Sequence, residues 1–163
     1  MNDNKKIGNI TIEGARIIFR NFQGRGSDYN AEGNRNFGLI LDQDLAKQLE
    51  HDGWNVKHLR QREDEDAPQP YLQVKVKYGK IPPIVYLVSS RGKTKLDEST
   101  IGQLDWARIA TVDLIVRPYV YPATPLRPSG VAAYLKSMYV TIQEDLLDEK
   151  YGDIPDVNDT QYT

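Results

Sequence analysis

Residues 71–78, YLQVKVKY, alternate without a break. Leu72, Val74 and Val76 fall on one side; Tyr71, Gln73, Lys75 and Lys77 fall on the other. A period of two fits an extended strand with one face in a core and the other in water, and it does not fit a helix. Further β-rich runs follow at 84–89, 112–121 and 131–142, with Pro118 marking an edge or a bulge in the third. Residues 7–22, IGNITIEGARIIFRNF, read as one long strand, and Gly14 sits where its alternation slips, as a bulge or sharp bend requires. Beyond it Ile17 and Phe19 share one face, and Arg16, Ile18, Arg20 and Phe22 the other. Residues 37–41 and 54–60 add two strands.

One helix stands out. Asp42 is a good N-cap for DLAKQLEHD, Leu45, Ala46 and Leu49 share a face, and Gly53 is the expected stop. Residues 23–35, 61–70 and 122–130 read as loops, Arg91–Lys93 as a turn and 97–104 as a helical turn. Strands dominate and do not alternate with helices, which disfavours a parallel α/β sheet. The expected fold is mainly β: an OB-fold-like Greek-key barrel of about five to eight strands with one short helix, and a β-sandwich as runner-up.

The net charge of −2 is a cancellation. From Glu144 to Thr163 there are seven carboxylates (Glu144, Asp145, Asp148, Glu149, Asp153, Asp156, Asp159) against Lys150, a net of −6. The other 143 residues therefore carry +4. The expected division is a domain over 1–143 and an acidic, intrinsically disordered tail over 144–163.

Catalysis finds little footing. The chain has no cysteine, which removes disulfide scaffolds, thiolate metal sites and a cysteine nucleophile. It has neither GxSxG nor a Walker loop. Glu63, Asp64, Glu65 and Asp66 could hold a divalent cation as nuclease carboxylates do, but consecutive loop carboxylates more often form a solvated charge run. His51 reads as a helix C-terminal charge and His58 as a half-buried strand residue. No cofactor and no enzymatic activity are expected. The apolar runs are too short to span a membrane, and the polar N-terminus is unlike a signal peptide, so a cytoplasmic protein is expected.

The parts for binding a single strand are present. Such proteins combine a basic groove for phosphates with aromatic rings that stack on bases, each worth ~1–3 kcal/mol. Candidates are Arg16, Arg20 and Phe22 on the first strand, and Arg25, Tyr29, Arg35 and Phe37 in and after the next loop. Trp54, Lys57, Tyr71, Lys75, Lys77, Tyr119 and Tyr121 complete the set. Tyrosine is common in any sheet, and lysine on a strand's wet face is an ordinary solubility device. The favoured reading rests on the coincidence of barrel, basic–aromatic faces and acidic tail. The tail can lie in the basic groove, yield to DNA, and then dock on other proteins.

The segments YNAEGNRNFGLIL, DGWNVKHL, YLQVKVKYGKIPPIVYLV, LDWARIATVDLIVRPYVY and GVAAYLKSMYVTIQEDLLDEKYGDIP, in this order, resemble the small single-stranded DNA-binding proteins of tailed bacteriophages over residues 9–155. The resemblance implies an OB-fold that coats single-stranded DNA during phage replication, recombination or repair, in the host cytoplasm. It also implies a tail that recruits replication or recombination proteins. Relatives of this class end in an aromatic residue, whereas here Tyr162 is penultimate. Strand pairing between barrels leaves no sequence signature, so a homo-oligomer stays open. The competing class is a virion structural or assembly protein with a β-sandwich fold.

Overall fold

The computed structural model describes residues 7–60, 68–144, 150–151 and 154–155. Among these residues nine strands form: β1 Ile10–Ala15, β2 Ile17–Asn21, β3 Arg35–Ile40, β4 Val56–Leu59, β5 Gln69–Val76, β6 Ile84–Ser89, β7 Gly92–Leu96, β8 Ile109–Tyr121 and β9 Gly130–Ile142. Helix α1 spans Gln43–His51, and a short 3-10 helix spans Ile101–Asp105. The count exceeds the expected five to eight for two reasons. The long first strand is divided at Arg16, and Gly92 opens a strand instead of sitting in a turn. Gly14 has a φ of +64° at the register shift between Ile12 and Ala15, the bulge its position implied.

All nine strands belong to one sheet, with the main order β1-β8-β9-β5-β3-β2. This single path excludes the two separate sheets of a sandwich. β4 flanks β5, and β6 lies between β9 and β7. β5 and β6 both pair with β9 in parallel, and the other pairings are antiparallel. The ladder does not close by hydrogen bonds between its end strands. Those ends, β1 and β2, are two halves of one stretch of chain joined at Arg16, and the sheet itself stays open. The Arg16 carbonyl at the joint accepts from the Ile40 N–H at 3.0 Å. Pro118 lies beyond Val116, where the pairing of β8 with β1 ends, so its missing N–H breaks no ladder there.

The barrel interior holds Leu39, Leu72, Val74, Val116, Met138 and Val140, all fully buried, in the alternation read for β5. In α1 the Asp42 carboxylate accepts from the Leu45 N–H at 2.7 Å, Ala46 and Leu49 are buried, and Gly53 follows with φ +95°.

The alternation beyond Gly14 is not the one expected. Phe19 has a left-handed φ of 51°, and the β2–β3 register shifts between Ile18 and Asn21. These breaks turn Phe19 out to 61% exposure and Phe22 into the core. His58 is exposed, not half-buried, with Nε2 3.1 Å from a Glu50 carboxylate oxygen. Among the described residues no cluster of His, Asp and Glu suits a metal ion, and no helix is long and apolar enough to cross a membrane. Glu63, Asp64, Glu65 and Asp66 lie outside the described residues.

Candidate nucleic-acid interface

The odd-numbered residues of β5 face outward, so Tyr71, Gln73 and Lys75 form a row on the barrel wall. Neighbouring strands extend this face. Lys75 pairs in register with Tyr134 of β9, and Tyr134 with Arg117 of β8. Two concavities meet here, sharing Gln73, Lys75 and Tyr134. The larger, about 510 Å³, runs to Tyr29, Arg35, Lys77 and Tyr78; the smaller, about 220 Å³, runs to Lys57, Tyr119, Tyr121 and Arg127. The result is one groove across β5 and β9. Its ends are the loops that follow β2 and β8, the positions from which OB-folds grip oligonucleotides.

Rings and cations interleave in it. Tyr119 and Tyr134 stack with centroids 5.5 Å apart and planes 9° apart. The Arg117 guanidinium lies 5.0 Å and the Lys75 ammonium 6.0 Å from the Tyr134 centroid. Arg127 covers Tyr121 at 4.1 Å, while the Tyr121 hydroxyl donates to Asn55 Oδ1 at 3.0 Å. Lys57 Nζ donates to Gln73 Oε1 at 3.2 Å. Tyr71, further along the row, meets Phe19 edge-on at 5.8 Å.

Three buried side-chain polar atoms among the described residues lack a hydrogen-bond partner: Arg35 Nε, Tyr78 Oη and Arg117 Nε. Arg35 and Tyr78 line the larger concavity, where Arg35 also lies 3.6 Å from a Glu98 carboxylate oxygen, and Arg117 lies against the Tyr134 ring. Burial pushes the Tyr78 phenol up to about 12, against the opposing pull of Arg35, 5.7 Å from its ring. Tyr78→Phe removes an unpartnered hydroxyl and should raise stability by about 1 kcal/mol. Urea denaturation reads this; a loss of stability would show that the hydroxyl has a partner in solution.

The other candidates from the sequence lie elsewhere. Phe22, Phe37 and Trp54 are at most 4% exposed, and Phe22 stacks on Phe37 at 5.2 Å, so no ring face is open to a base. Arg20 donates from Nη1 to the Leu104 and Ala107 carbonyls, both at 2.8 Å, fixing the start of β8 to β2. Arg25 lies 3.9 Å from Asp105 and over Trp106 at 5.4 Å. Arg16 is exposed on the side of Trp106, away from the lining of the groove. Glu144 accepts from the Ser90 N–H and Oγ–H, both at 2.6 Å, which holds its carboxyl below its usual range. Its carboxylate is thus engaged by the barrel. Asp145, Asp148, Glu149, Asp153, Asp156 and Asp159 lie outside the described residues.

Sequence reading leaves out Tyr78, Arg127 and Tyr134, and it sets Arg117 on the same side of its strand as Tyr119 and Tyr121. Tyr134 had a readable signal, since it shares the non-core parity of its strand with Ala132. The cross-strand pairing that sets it against Lys75 did not.

The chain matches, over residues 1–162, the family model described as "Putative phage ssDNA-binding domain". No curated protein matches it. Among solved structures it is similar to the single-stranded DNA-binding protein from bacteriophage Enc34 in complex with ssDNA. That match has a TM-score of 0.54 and 12% identity over 85% of this chain and 88% of that one. The Enc34 protein without DNA gives 0.51 and 11%, over 96% and 90%. Its C-terminal truncation gives 0.53 and 13%, over 85% and 87%. At these identities the likeness shows a shared fold. With a family model matched along nearly its whole length, the chain belongs to the phage single-stranded DNA-binding domain family.

Proposed function

We propose that this protein binds single-stranded DNA along the groove of β5 and β9, with little sequence preference and without catalysing a reaction. The observation that carries this is the meeting of Lys75 and Arg117 with the stacked Tyr119–Tyr134 pair. Phosphates take the cations, Lys57, Lys77 and Arg127 included. Bases take the tyrosine faces, which accept any base because every base has a π-face. Family membership and the Enc34 fold support the reading.

The test is a titration of fluorescent oligo-dT at several salt concentrations. Micromolar or tighter binding is expected, with a log–log salt slope of about −0.7 per phosphate neutralised. Equal affinity for a duplex would sink the proposal.

In this reading the protein coats DNA during phage replication, recombination or repair. Residues 144–163 are an acidic tail that competes for the groove and recruits partner proteins once displaced. Deleting 145–163 leaves Glu144 on Ser90 and removes the competitor, so DNA binding should tighten, most at low salt. An unchanged affinity at low salt would leave the tail no role as competitor.

A further inference from the structure

A second aromatic pair lies on the outer face of the same strand as Tyr134. Tyr86 of β6 and Tyr139 of β9 are register partners, stacked with centroids 5.3 Å apart and planes 15° apart. Lys93 of β7 holds its ammonium 4.5 Å from the Tyr86 centroid and 5.8 Å from that of Tyr139. Lys95 pairs in register with Tyr86 and is exposed. The acidic neighbour, Asp113, is turned away: its Oδ1 accepts from the Gly14 N–H at 2.8 Å. The patch thus repeats the chemistry of the groove, a stacked tyrosine pair beside lysines.

Its position makes it a continuation. Tyr139 is five residues beyond Tyr134, about 16 Å at ~3.3 Å per residue. Between them the register of β8 against β9 shifts, and Lys136 is exposed there. β9 therefore carries ring, cation and ring along its outer face, with β5 beside its first half and β6 beside its second.

We propose that single-stranded DNA leaving the groove continues along β9 onto Tyr86 and Tyr139, with Lys93, Lys95 and Lys136 as phosphate contacts. This rests on the groove being the primary site. A base would stack on the Tyr86–Tyr139 pair as Lys93 swings its flexible stem from the rings to a phosphate.

The experiment uses the full chain and two oligo-dT probes, of ~6 and ~16 nucleotides, within the range of site sizes for one OB-fold. Tyr139→Thr, which puts a β-branched residue of good strand propensity in its place, and Lys93→Ala, at an exposed position, are compared with the parent. Both should weaken binding of the longer probe, Tyr139→Thr by about tenfold, and leave the shorter probe nearly unchanged. Equal loss on both probes, or no loss on the longer, overturns the second platform. The parent failing to bind either probe would instead overturn the groove itself. Thermal unfolding of both variants separates a folding defect from a binding one, and Lys93→Ala keeps the test decisive if Tyr139→Thr does not fold.

Discussion

Tyr134→Ala is expected to weaken single-stranded DNA binding by about ten- to a hundredfold, since stacking on one aromatic ring contributes ~1–3 kcal/mol per base. Tyr134 is the ring on which Tyr119, Lys75 and Arg117 all converge. Its removal takes a stacking face and also the surface that aligns two cations. Both cations remain, so the salt slope should change little while the affinity falls at every salt concentration. Lys75→Glu should do the reverse, flattening the slope as well as weakening binding. Tyr134→Phe should bind close to the parent. A folded Tyr134→Ala protein with parental affinity would show that the bases stack elsewhere.

Phe22→Ala is expected to cost about 3–5 kcal/mol of stability, the usual range for emptying a fully buried aromatic site. Phe22 is 0% exposed and stacked on Phe37, and its N–H donates to Asp105 at 2.7 Å. The variant discriminates sharply between two roles. A core Phe22 predicts a large fall in the unfolding midpoint and parental DNA affinity in whatever fraction stays folded. A base-stacking Phe22 predicts an unchanged midpoint and weak binding. Denaturant unfolding together with an oligo-dT titration decides.

What could be read from the sequence was what is local. The alternation of residues 71–78 gave the face of β5 that carries Tyr71 and Lys75, and Asp42 gave the start of α1. The slip at Gly14 marked the bulge. Failures began where a distant partner decides a side chain's role. Arg20 and Arg25 looked like free cations, yet their partners, the Leu104 and Ala107 carbonyls and Asp105, lie about eighty residues further on. Phe22 was placed by counting in twos, and the left-handed φ of Phe19 breaks that count. The two tyrosine pairs on β9 exist only through pairing with β8 and β6, which no single strand announces.

The covalent joint at Arg16 bears on how this barrel is assembled. β1 pairs with β8, setting Ile10 against Val116, while β2, one residue further on, pairs with β3. A chain growing from its N-terminus can lay β2 against β3 early, but β1 has no partner until residues 109–121 have been made. β1 is therefore an open edge until β8 has been made, the kind of edge that invites wrong pairings. Loop closure over so long a separation also slows refolding, which places this small domain among the slower folders for its size.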